Sequence, residues 1–286
     1  MSRQITLKSK PLTLVGRKTK EGYSAPQFTV TNAELKDVKL SEYGDSIKII
    51  TSFLSLDTPT CDLQVKEFNK QAHNLSNDVR IIGISQDLPF AQKRFCETNN
   101  IDMVTTLSDY RNNSFGLNYG LLIKELNLLA RSVIILDKNN TIRYIQLVRE
   151  ASNPPDYKAV LQSLKEILKN PAMKAPQEIL PDCAPDIVSK PPLDKDRLKS
   201  LCSIFEDWEL THDRTIRKTF RFNDFTEARY FVDTVSIITE EQKHYPVISI
   251  DYNKVTISLQ TRVLGALSEN DFIMAQIIDE LGDKND

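Results

Sequence analysis

Along the first half of the chain the apolar positions change period repeatedly. Residues 12–15, 28–30 and 38–40 are short β-like runs separated by turn residues such as Gly22 and Gly44, a pattern of hairpins preceding a main sheet. Residues 47–53 form a β-branched run. After it, Cys61, Val65, Phe68, Ala72 and Leu75 recur at helical spacing, and residues 79–85 (VRIIGIS) read as a second buried strand. A β-α-β unit of this kind sets its strands parallel and brings the loop after the first strand to the carboxyl edge of the sheet. A helix over residues 88–97, a strand at 104–107, a hairpin of 132–136 with 141–148 about the turn 137–140, and a closing helix over 156–168 complete the first half.

Residues 170–193 break the pattern. They hold six of the chain's 13 prolines and no hydrophobic period, the composition of a semi-extended linker. Beyond it the order changes to a helix over 194–205, a hairpin of 208–211 with 215–222 around His212-Asp213-Arg214, and a long amphipathic helix through Phe225, Ala228, Val232, Val235 and Ile238. A second hairpin, 247–252 with 254–260 through Asn253, and a helix over 268–281 follow. This predicts an α+β domain: a four-stranded antiparallel sheet with helices on one face. The expected organisation is a domain over 1–169, the linker at 170–193 and a second domain over 194–286.

Composition narrows the function. Among 286 residues the formal net charge is -2, which gives no basic surface for nucleic acid or for a membrane. The first residues, MSRQITLKSKPLTLVG, lack an apolar targeting core, so the chain reads as cytoplasmic. Three histidines and four scattered cysteines give no metal-ligand spacing and no disulfide scaffold; no metal and no resident cofactor are expected. Cys183 reads as a linker thiol and Cys202, among Leu198, Leu201 and Phe205, as core.

Cys61 is different. In SFLSLDTPTC an apolar strand turns through Asp57-Thr58-Pro59 and delivers the thiol to the start of a helix, because proline is favoured where its missing N–H would go unpaired. Unpaired backbone N–H groups and the positive helix end favour a thiolate there, which makes a nucleophile. DTPTC together with SQDLPFAQKRFC, a block of residues 85–96 ending in Cys96, resembles the thiol peroxidases, the atypical two-cysteine branch of the peroxiredoxins. LLARSVIILD at 128–137 and DYRNNSFGLNYG at 109–120 extend the resemblance over residues 1–168.

The resemblance implies an α/β thioredoxin-like fold, in agreement with the order of elements. It makes Cys61 the peroxidatic and Cys96 the resolving cysteine, with Thr58 and Arg131 framing the sulfur. A cationic Arg131 favours the thiolate and binds a peroxide oxygen, to which Thr58 also donates. Hydrogen peroxide or an organic hydroperoxide oxidises Cys61 to a sulfenic acid, Cys96 condenses with it to a Cys61–Cys96 disulfide, and thioredoxin or a similar dithiol protein reduces the disulfide. Leu54 stands where the family usually has proline. The competing reading is a redox sensor or scaffold, separated from a peroxidase by sustained dithiol-dependent turnover.

In the second domain, EEQKHYPVISIDYNKVTISLQT, with FRFNDFTEARYFV before it and SENDFIMAQIIDEL after it, resembles the pterin-4a-carbinolamine dehydratases. That family uses histidines as acid and base at the positions of His244, Tyr245 and Arg262, and only His244 is kept. Tyr245 can donate a hydrogen bond, but Arg262 is no base at neutral pH. A degenerate pterin-binding or oligomerising module is therefore favoured over dehydratase turnover, with a pterin as candidate ligand. The expected assembly is a homodimer or higher homo-oligomer.

Overall fold

The computed structural model describes residues 4–173, 182–184, 192–211 and 214–282. Contacts divide it into two compact units, Met1–Gln177 and Glu178–Lys284.

The first unit contains, in chain order, β1 (Gln4–Leu7), β2 (Lys10–Val15), β3 (Thr29–Thr31), β4 (Asp37–Lys39), β5 (Ile47–Ser52), α1 (Pro59–Ala72), β6 (Val79–Ser85), α2 (Pro89–Asn99) and β7 (Val104–Ser108). It continues through α3 (Ser114–Asn118), β8 (Leu122–Ile123), β9 (Leu128–Leu129), β10 (Ser132–Leu136), β11 (Ile142–Leu147) and α4 (Tyr157–Lys169). The principal sheet has the order β11-β10-β5-β6-β7-β3-β4, with β5, β6 and β7 parallel and the other pairings antiparallel. Every residue of β5 and β10 is buried, as expected for strands at the middle of a covered sheet. This is the thioredoxin-like α/β arrangement anticipated from the order of elements.

Two features differ from the reading of the chain. The strands at 28–30 and 38–40 do not precede the sheet; β3 joins it through Thr31 opposite Ser108. A small second sheet, β1-β2-β8-β9, and the short α3 were not anticipated. Lys8 and Ser9, at φ 50° and 66°, make the tight turn between β1 and β2. The hydrogen bonds of α3 start from Asp109, whose carboxylate accepts from Phe115 N at 3.0 Å and Gly116 N at 2.8 Å.

Two registers place the site. Ser132 pairs with Ser52, so Arg131, one residue before β10, stands at the edge where β5 ends and the Cys61 loop begins. Ser85 pairs with Ser108, which brings the ends of β6 and β7 to the same edge.

The second unit contains α5 (Lys195–Ile204), β12 (Glu209–Leu210), β13 (Ile216–Arg221), α6 (Phe225–Gln242), β14 (Val247–Asp251), β15 (Lys254–Leu259) and α7 (Glu269–Gly282). Its antiparallel sheet has the order β12-β13-β15-β14. Ile216, Phe220, Val255, Ile257 and Leu259 are buried, and α6 and α7 pack against β15, while Thr219 and Thr256 hydrogen-bond on the exposed side. This matches the predicted four-stranded α+β domain.

Most of the proline-rich stretch, residues 174–181 and 185–191, and the turn residues His212 and Asp213 lie outside the described residues. The described residues flanking it are bonded. Met173 donates its N–H to Asp137 at 2.8 Å, and Cys183 donates its N–H to Gln242 at 2.6 Å and its thiol to Asn270 O at 3.6 Å. Cys202 is half-buried on α5, where burial pushes its thiol up.

Candidate active site and second-unit cavity

Cys61 is the third residue of α1 and has no exposed surface. Its N–H donates to Thr58 O at 3.1 Å, fixing the first turn. The sulfur accepts a hydrogen bond from Arg131 Nη2 at 3.4 Å. Arg131 is itself buried, and its other donors are committed: Nε and Nη2 to Ala151 O at 3.1 and 3.0 Å, and Nη1 to Gln64 Oε1. A buried guanidinium is tolerated only when its N–H groups are paired, and here the pairing also fixes its direction.

The partners of Arg131 are held in turn. Gln64, fully buried on α1, donates to Thr51 Oγ1 at 2.5 Å and Ser52 O at 3.3 Å, tying the helix to the end of β5. Ala151 sits in the loop between Glu150 and Ser152. Glu150 accepts from the hydroxyls of Ser152 and Thr6, and from the N–H groups of Lys8 and Ser9 at 2.9 and 3.2 Å. These donors, Ser152 first and Thr6 next, hold its carboxyl far below the ordinary range, at about 2.

Thr58 is the residue before α1. Its hydroxyl donates to Ser55 O at 3.0 Å, so its proton is aimed at the loop and not at the sulfur. Another acceptor receives the Thr58 proton only by displacing that bond. Cys96 lies on α2, half-buried, with its sulfur 3.4 Å from Thr106 Oγ1. Burial pushes this thiol up, partly offset by the Thr106 hydrogen bond. The two cysteines are therefore unlike: a cation faces Cys61, and a neutral hydroxyl faces Cys96. Leu54 fills a buried position in the loop, 6% exposed.

In the second unit His244 follows α6, and its Nε2 lies 2.7 Å from Asp271 Oδ1 on α7. The other carboxylate oxygen accepts from Thr261 Oγ1 and Ser268 N, both at 2.8 Å. Tyr245 and Arg262 point elsewhere: with Arg217, Val247, Ser258 and Gln260 they line a cavity of about 650 Å³ on the sheet. The structure thus brings Tyr245 and Arg262 together and turns His244 towards a buried carboxylate.

Comparison with known proteins bears on both units. The thiol peroxidase of Oceanobacillus iheyensis matches the N-terminal part of the chain at 48% identity over 162 residues, covering 57% of this chain and 98% of that protein. The chain belongs to the thiol peroxidase family. The thiol peroxidase of Bacillus subtilis is 46% identical over 166 residues, 58% of this chain and 99% of that protein. The crystal structure of a peroxiredoxin-like protein from Aquifex aeolicus matches with a TM-score of 0.55 and 39% identity, covering 58% of this chain and 98% of that one. The Redoxin family model matches residues 20–161, and the model for pterin 4 alpha carbinolamine dehydratase matches residues 191–281. The thiol peroxidase is therefore fused to a pterin-dehydratase-like domain. Among the described residues, no helix is long and apolar enough to cross a membrane.

Several residues were not singled out from the sequence. Gln64 and Ala151 orient the guanidinium of the peroxidase, and Asp271 holds His244 while Thr261 and Ser268 bond the same carboxylate. Gln64 carried one signal: it lies one turn beyond Cys61 in the first stretch of an amphipathic helix, on the side that faces the sheet.

Proposed function

We propose that the first unit reduces hydrogen peroxide or organic hydroperoxides by a two-cysteine cycle. The observation that carries it is the bond from the buried Arg131 to the buried sulfur of Cys61. The Cys61 thiolate attacks one peroxide oxygen, the O–O bond breaks, and the departing alkoxide or hydroxide takes a proton to leave as alcohol or water. Arg131 stabilises the charge as it passes from sulfur to the leaving oxygen. The resulting sulfenic acid condenses with the Cys96 thiol, releasing water and leaving the Cys61–Cys96 disulfide, which a dithiol protein of the thioredoxin type reduces with its own oxidation to a disulfide. One equivalent of peroxide should convert the reduced chain to a species lighter by two hydrogens, in which peptide mass spectrometry finds Cys61 joined to Cys96. A stable sulfenic acid with Cys96 still free would overturn the cycle.

For the second unit the reading is a pterin-binding module without dehydratase turnover. Its cavity offers the Tyr245 hydroxyl and the Arg262 cation as hydrogen-bond donors to a polar heterocycle, beside the Glu209 carboxylate, and among the described residues its lining holds no histidine. His244, the remaining histidine of the family's set, is occupied by Asp271. The full chain should bind a reduced pterin, weakened at least about tenfold by Arg262→Ala, the size of one lost charged hydrogen bond. Dehydration of 4a-hydroxytetrahydropterin should run at the uncatalysed rate. Catalysed dehydration abolished by His244→Ala would refute this.

A further inference from the structure

The carboxylate of Asp87 lies where the Cys61 loop meets the entry to α2. It accepts the Ser55 hydroxyl at 2.6 Å and the Leu56 N–H at 2.8 Å from the loop, and the Ser85 hydroxyl at 2.8 Å from the end of β6. The Asp87 carbonyl accepts from Ser108 Oγ at 2.5 Å, which fastens it to the end of β7. On the loop side, Ser55 O receives both the N–H and the hydroxyl of Thr58 at 3.1 and 3.0 Å, and Thr58 O receives Cys61 N. On the other side, the buried Gln92 of α2 donates to Ser85 Oγ at 3.0 Å and Leu107 O at 2.9 Å, while its Oε1 is buried with no hydrogen-bond partner among the described residues. One carboxylate therefore ties the loop that precedes the Cys61 helix to the end of β6, on which Gln92 of the Cys96 helix also rests.

Both segments must change for the two sulfurs to meet. Cys61 is enclosed and bonded to Arg131, and Cys96 sits mid-helix against Thr106. Release of Ser55 and Leu56 from Asp87 frees the loop that precedes the Cys61 helix to move with it. We propose that Asp87 is a positioning residue that latches the Cys61 loop in its folded form and sets the rate at which the sulfenic acid reaches Cys96. While the latch holds, the sulfenic acid stays beside Arg131. There a second hydroperoxide can transfer an oxygen to it, giving a sulfinic acid and an alcohol or water. When the latch opens, the sulfenic acid and the Cys96 thiol give the disulfide and water. The strength of the Asp87 bonds thus divides Cys61 between recycling and over-oxidation. This inference rests on the two-cysteine cycle proposed above.

The test follows both steps in the full chain by rapid quenching and mass spectrometry, with hydrogen peroxide as oxidant and a sulfenic-acid trap. Asp87→Asn replaces one of the two acceptor oxygens by an NH2 that cannot receive its loop donor and leaves the other as a weaker, uncharged acceptor, a loss equivalent to about tenfold in the open population. Disulfide formation from the sulfenic acid should accelerate by about that factor, and the sulfinic fraction at high peroxide should fall correspondingly. The rate of first attack on peroxide should stay within about twofold, because the folded loop remains the major form. Ser55→Ala removes one of the latch bonds but keeps the carbonyl that receives Thr58, so it should shift the same two readouts by less; it also serves if Asp87→Asn does not fold. The latch is refuted if the folded variants resolve at the parent rate, or if first attack slows while resolution does not. If the parent chain forms no Cys61–Cys96 disulfide, the cycle itself fails; if it forms one at a rate these variants leave unchanged, only the latch fails.

Discussion

Replacing Arg131 by methionine should slow the reaction of Cys61 with hydrogen peroxide by about two to three orders of magnitude, the loss seen when one preorganised donor is removed from a developing anion. In the proposed cycle the cation acts twice in the same step. It faces the sulfur at 3.4 Å before reaction and meets the leaving oxygen as the O–O bond breaks. Arg131→Lys keeps the charge but not the planar fork. An ammonium cannot hold Ala151 O and Gln64 Oε1 with the guanidinium geometry while also facing the sulfur, so about tenfold should still be lost. Gln64→Leu separates charge from orientation, since it leaves the cation in place and removes one of its anchors. A loss of about tenfold is expected, less than for removal of the cation itself. Stopped-flow second-order rate constants for thiol consumption check the series. If Arg131→Met reacts as fast as the parent, the guanidinium is a structural ion and the assignment of the site is wrong.

The contrast between Arg131 and Gln64 shows how far the chain could be read unaided. The strands and long helices followed from period alone, and Cys61 stood out because strand, turn and proline all point at a helix start. Arg131 could be tied to that sulfur only by resemblance. The physical link is the pairing of Ser132 with Ser52, a contact between residues 80 apart that no local pattern encodes. Gln64 reads as an ordinary polar residue of an amphipathic helix until that pairing buries it. Ala151 contributes only a backbone carbonyl, which every residue has. The same reasoning covers β8, β9 and α3, each of five residues or fewer, which exist because distant partners fix them and not because their own sequence insists.

His244 carries the same lesson in the second unit, and it leads to a large stability effect. A histidine in that motif looks like an acid or base, yet the fold sets it against Asp271, and three further donors, Thr261 Oγ1, Ser268 N and Ser268 Oγ, close on the same carboxylate. Asp271 has no exposed surface, so water cannot take over from a lost partner. Asp271→Ala should destabilise the second unit by about 3–5 kcal/mol, the usual result of removing one member of a buried, hydrogen-bonded polar pair. The measurement is direct. The single tryptophan, Trp208, lies in this unit and donates to Asp279 at 3.0 Å, so its fluorescence during denaturant unfolding follows the second unit alone. A shift below about 1 kcal/mol, the net worth of one ordinary hydrogen bond, would mean that His244 and its neighbours are not held by this carboxylate. Because Cys61, Arg131 and Gln64 all belong to the other unit, the peroxide rate constant of the same variant should match the parent. A stability loss without a rate loss is the behaviour of two domains on one chain, each folded by its own buried polar cluster.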